Sequence, residues 1–175
     1  MPRLSEPPAT KLSSEMQEIY SRFASPKSYL RATFNVLFTN PGVGSGIAML
    51  KEKIDGLDLE PWVIYTVGLT VAHEREDKAL WNSILALTHE AGPSGPVIAG
   101  IEAGTGPRGL LPKDGIWIQF ALDVIRGSMK DSIWQATTHL VGDEGAVALA
   151  FTASYFEMIT RLNKTFGLSE NTVSP

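Results

Sequence analysis

The sequence predicts an all-α fold in a single domain, and three observations carry that expectation. Apolar residues recur at three- and four-residue steps along most of the chain rather than at alternate positions. Proline and glycine stand where helices would begin and end, as in Glu60-Pro61 and Ala91-Gly92-Pro93. No composition shift divides the 175 residues, and a chain of that length buries about two-thirds of its surface in one core.

Residues 1–12 are rich in proline and polar side chains and are expected to form a flexible arm. A tail over residues 169–175 closes the chain, which leaves a domain of residues 13–168. Ser13 or Ser14 can cap a first helix through Met16, Ile19, Tyr20 and Phe23, ended by Ser25-Pro26. A second helix is expected over residues 29–38, closed by the turn Thr39-Asn40-Pro41-Gly42. Gly42, Gly44 and Gly46 follow without the strand or the lysine spacing of a phosphate loop, so they read as a close-packed helix entry. The charges of that third helix, Lys51, Glu52, Lys53 and Asp55, are expected to face mostly water.

The centre of the fold is expected in two apolar helices, residues 60–72 and 77–91, joined by the charged connector His73-Glu74-Arg75-Glu76. A short helix over residues 96–103 and a flexible glycine-rich loop come next. One helix then runs from Leu111-Pro112 to Arg126-Gly127, and another, capped by Asp131 or Ser132, covers residues 133–140. The last and longest covers residues 143–166. Its stretch 146–156 is apolar on nearly every side, which predicts burial at the centre or in a subunit interface. The run is too short to span a bilayer.

Fifteen Lys and Arg against 19 Asp and Glu give a net charge of −4, with no basic footprint for nucleic acid or an anionic membrane. The absence of cysteine removes disulfides, thiolate metal ligands and thiol peroxidase chemistry together. The N-terminal residues lack the apolar core of a signal peptide, and a cytoplasmic protein is the expectation.

Several features, taken in order, resemble the carboxymuconolactone decarboxylase and alkylhydroperoxidase D-like superfamily. They are Asn40-Pro41 before a helix, a Leu-x-Pro opening at Leu59-Glu60-Pro61, a second central helix ending Ala91-Gly92, Ile98-Ala99-Gly100-Ile101, and Tyr155-Phe156 with Arg161-Leu162-Asn163. The resemblance covers roughly residues 34–168. It implies an all-α bundle of that type, assembled as trimers or dimers of trimers with sites near subunit boundaries. Redox members carry a glutamate on the first central helix and a Cys-x-x-Cys-x-x-x-His run on the second. Counted back from Gly92, those positions fall here on Tyr65, Asp77, Leu80 and Ile84, so the reactive groups of the redox members are absent.

The groups left for chemistry are few. His73 opens His73-Glu74-Arg75-Glu76-Asp77, one histidine short of a zinc motif, so no metal site is expected. Either it is a solvated connector residue or, with Glu74, Glu76 and Asp77 nearby, it is tuned as a general base. His89 and His139 sit near helix ends, where a cation complements the helix dipole. Tyr65 and Asp77, at positions that the resemblance makes reactive, are expected to share a pocket. There Tyr65 would donate to a developing oxyanion and Asp77 would take a proton, unless Tyr65 is core and Asp77 a helix cap. Trp81, one turn on, can stack on an aromatic substrate or fill core. Asn40, a turn former by type, is the other candidate substrate contact.

Two functions follow. One is a cofactor-independent lyase or isomerase that moves a proton on a small oxygenated or aromatic organic acid, as in a biosynthetic tailoring step. The resemblance supports it, because the family includes decarboxylases without cofactor. The other is a catalytically inactive homologue that serves in binding or assembly. An open pocket holding Tyr65, Asp77 or His73 favours the first, and a cavity filled by Trp81 and Leu80 the second.

Overall fold

The structure is a computed structural model and describes residues 3–4, 12–25 and 28–169, with the side chains of residues 89 and 90 excepted. Most of the expected N-terminal arm, the end of the tail, Pro26 and the side chain of His89 therefore lie outside the described residues. Among the described residues the protein is helical, without a strand, in one all-α bundle.

Three short-range helices lead in. α1 (Ser14–Phe23) is capped by Ser13, whose hydroxyl accepts from the Met16 N–H, and α2 (Arg31–Leu37) follows. α3 (Pro41–Asp55) is capped by the Asn40 side chain, which accepts from the Val43 N–H at 3.3 Å. The helix thus begins at Pro41 and takes in all three glycines. A Cβ on Gly44 would stand 2.9 Å from the Phe38 ring, so this glycine permits close packing of α3 on the preceding turn. The exposed face expected for α3 is corrected at Lys51, which is only 7% exposed. Its ammonium lies over the Tyr29 ring, 5.0 Å from the centroid, and pairs with Asp55, so the charge is met locally by a ring face and a carboxylate.

α4 (Pro61–Glu74) is the central helix, buried along most of its length and packed against α8 (Pro112–Arg126) and α9 (Asp131–Phe166). Gly68 marks the closest approach. A Cβ there would lie 2.9 Å from both Ile84 Cδ1 and the Phe156 ring. The single helix expected over residues 77–91 is instead two, α5 (Lys78–Leu85) and α6 (Thr88–Ala91). The Leu87 N–H tightens onto the Ile84 carbonyl, and the Thr88 hydroxyl takes the Leu85 carbonyl at 2.7 Å, so side-chain competition ends α5 early. α7 (Gly95–Glu102) then brings its C-terminus back beside the end of α4.

α9 joins the two helices expected at the end of the chain. They meet at Gly142, whose φ of 70° and ψ of 176° break the helical path. Neither Asp131 nor Ser132 caps it; Lys130 holds the cap position without a side-chain bond. The stretch 146–156 is buried where it faces the bundle, at Ala146, Leu149, Thr152, Ala153, Tyr155 and Phe156. It is not buried all round: Val147, on the opposite side of α9, is 62% exposed.

Candidate functional site

The site begins with a backbone turn. At the end of α4 the Asp77 N–H bonds to the Ala72 carbonyl at 2.8 Å and the Glu76 N–H to the His73 carbonyl at 3.0 Å. This paired closure needs a left-handed residue, and Glu76 supplies it at φ 54°, where glycine is usual. A non-glycine residue held there costs on the order of 1–3 kcal/mol, and such strain is typical of turns that position functional groups. Arg75 anchors the turn from outside, donating to Glu157 at 2.5 Å and to the Ile125 carbonyl at 2.8 Å.

The turn leads directly into Asp77, which caps α5 through the Leu80 N–H at 3.0 Å. Its second oxygen accepts from the Asn163 amide at 2.7 Å, and the Asn163 carbonyl oxygen accepts from the Thr33 hydroxyl at 2.7 Å. All three residues are buried, Asp77 completely. Burial pushes the Asp77 carboxyl above its ordinary range, against the hydrogen bonds from Leu80 and Asn163 that pull the other way. One oxygen thus caps α5 and the other ties it to α9, while the Asp77 N–H joins it to α4.

Beside this turn lies a cleft of about 290 Å³, lined by His73, Glu76, Lys78, Trp81 and Glu102, with Ala72 and Asp77 beneath. His73 is half-buried, its ring centroid 5.9 Å from that of Trp81. Its Nε2 lies 3.2 Å from the Glu102 carbonyl oxygen at the end of α7. A carbonyl only accepts, so that contact places the proton on Nε2 and leaves Nδ1 as the basic nitrogen. An imidazole ring, an aromatic wall and Lys78 therefore meet at this open cleft.

The structure separates two residues expected to work together. Tyr65 is two turns before His73 on α4, roughly 12 Å along the axis and turned by about 80°. It lines a different slot, of about 160 Å³, with Tyr29 and Asp55, and so does not share a pocket with Asp77. Asn40 is exposed and serves as the cap of α3, lining neither space. Leu80 and Ile84 are fully packed core. His139 is exposed, three residues before the break at Gly142.

Sequence reasoning missed Lys78, the Glu102 carbonyl and Asn163. Asn163 had a readable signal: it falls in line with Phe156, Ile159 and Thr160 on the buried face of α9, and a polar residue on such a face needs a buried partner. Among the described residues no group of three or more His, Asp or Glu is placed to hold a metal ion. Likewise, no helix is long and apolar enough to cross a membrane. Comparison of the chain with protein-family models, curated proteins and solved structures finds no match.

Proposed function

We propose that the protein is a cofactor-independent lyase or isomerase that moves a proton on a small oxygenated or aromatic organic acid held in the His73 cleft. The observation that carries this reading is the His73–Trp81 pair beside Lys78, with His73 oriented by the Glu102 carbonyl. Trp81 stacks against the substrate and Lys78 holds its carboxylate or the oxyanion that develops. His73 Nδ1 removes a proton from the acidic carbon, and the C–H electrons move onto the adjacent carbonyl oxygen. Return of the proton at a second carbon gives an isomerase; in a lyase no C–H bond breaks first, the electrons of the C–C bond to the carboxylate move onto the adjacent carbonyl oxygen as carbon dioxide leaves, and His73 hands a proton to that carbon. Asp77 acts as a positioning residue through α5, and Tyr65 takes no part in this cleft.

An inactive binding homologue is the competing reading, favoured by the packed Leu80 and Ile84 at two of the positions that the resemblance makes reactive. The open cleft next to them weighs for the enzyme. Self-association belongs to the same proposal: Trp134, Leu140 and Val147 of α9 are exposed apolar side chains, and the resemblance implies threefold assembly. The function is tested by incubating the protein in D₂O with a panel of 2-oxo, 3-oxo and aryl acids under proton NMR. Catalysed exchange or decarboxylation of at least one is expected, and a panel that stays inert would contradict the proposal.

A further inference from the structure

Another cavity lies at the entry to α4, at the opposite end of that helix from the His73 cleft. Its volume is about 310 Å³, and it is walled by the turn that carries Asp58 and Glu60, by Trp62 in the first turn of α4, by Trp117 of α8 and by Val141 of α9. We infer that this cavity binds a small methylated ammonium compound, with its cationic head against Trp62 and Trp117 and its charge in the field of the Asp58 and Glu60 carboxylates.

Three observations converge on that chemistry. First, two of the walls are tryptophans, the residue type whose ring face attracts a cation most strongly. The ring centroids of Trp62 and Trp117 are 6.2 Å apart with their planes at 77°, so the aromatic walls meet at nearly a right angle. A methylated ammonium carries no N–H that needs an acceptor, and its methyl groups suit such a wall, whereas a hydrated metal ion would leave the rings unused. Second, the charge at the cavity has one sign. Asp58 and Glu60 are its only ionisable side chains, and among the described residues neither joins an ion pair or a side-chain hydrogen bond. The His73 cleft contains Lys78, and the cleft between α1 and α3 contains Arg22 and Lys51, so this preference for a cation is particular to the α4 entry. Third, the helix start does not reverse that sign. The N-terminus of α4 presents about half a positive charge, which two carboxylates outweigh. Pro61 has no N–H to offer an anion, and the Val63 N–H is taken by the Glu60 carbonyl at 2.9 Å.

The test is titration of the full-length ¹⁵N-labelled protein with choline, with its neutral carbon isostere 3,3-dimethylbutan-1-ol and with magnesium chloride, followed at the indole N–H signals of the four tryptophans. Choline should shift Trp62 and Trp117, leave Trp81 and Trp134 in place, and bind at least about tenfold more tightly than the isostere. Trp62→Leu should weaken choline about tenfold. Asp58→Asn combined with Glu60→Gln should weaken it roughly fivefold at low salt, and because both residues are exposed this variant decides the matter if Trp62→Leu does not fold. Equal affinity for the isostere, shifts centred on Trp81, magnesium shifting Trp62 as choline does, or unchanged choline affinity in a folded variant would overturn the inference.

Discussion

The Asn163 amide donates to the Asp77 carboxylate across 2.7 Å, so the far end of α9 holds the first residue of the α5 cap 86 positions earlier in the chain. The same carboxylate receives the Leu80 N–H, and the resulting clasp fixes the turn that presents His73 and Trp81. Replacing Asp77 with alanine removes a helix cap and strands the buried Asn163 amide, a loss of about 2–4 kcal/mol in a denaturant melt. Asp77→Asn keeps one acceptor for the cap and sheds a buried charge but turns its NH₂ toward the Asn163 amide donor, so it should lose about 1–3 kcal/mol at neutral pH, less than the alanine variant.

The pH dependence of that comparison has a definite sign. Burial raises the Asp77 carboxyl above the ordinary 3.8, so the folded state binds this proton more tightly than the unfolded state. The contribution is complete below 3.8 and is lost as pH rises through the folded value. Wild type should therefore gain stability over Asp77→Asn as pH falls from neutral toward 3.8, measured by paired urea melts across that window.

Glu157 should behave in the opposite sense. Burial alone would raise its carboxyl, but hydrogen bonds and charge from Arg75 and Arg161 outweigh it and hold the carboxyl below the ordinary 4.5. Its stabilising contribution is present above 4.5 and fades as pH falls through the folded value. Glu157→Gln should cost about 1–3 kcal/mol at pH 7, and the deficit should shrink in acid.

Much of the fold was legible because helix boundaries are written locally. Ser13, Asn40, Pro61, Pro112 and Gly127 act through their own backbone neighbours, and each marks an observed helix end. The site was less legible because it depends on rotation and on distant partners. Tyr65 and His73 share one helix, yet eight residues turn them onto different faces, and the Tyr65 face looks toward Tyr29 and Asp55. Lys51 reads as a surface charge until the fold sets its ammonium over the Tyr29 ring. Neither Asn163 nor the Glu102 carbonyl is near His73 in sequence, so only the tertiary fold brings them to the turn.

Glu76 is the strained point of that turn, at φ 54°. Glu76→Gly should relieve the left-handed conformation and raise stability by about 0.5–1 kcal/mol, read as an increase in the denaturant midpoint with unchanged slope. A loss of stability would mean that the Glu76 side chain contributes more than its backbone costs.

The claim that His73 moves the proton is tested most directly by deuterium exchange into a substrate found in the acid panel, compared between wild type and His73→Gln. Glutamine retains a donor for the Glu102 carbonyl but has no basic nitrogen. The account predicts a folded variant, shown by an unchanged melt, whose exchange rate falls roughly 10²–10⁴-fold while Asp77→Asn keeps most of its rate. A His73→Gln protein that exchanged at the wild-type rate would contradict it.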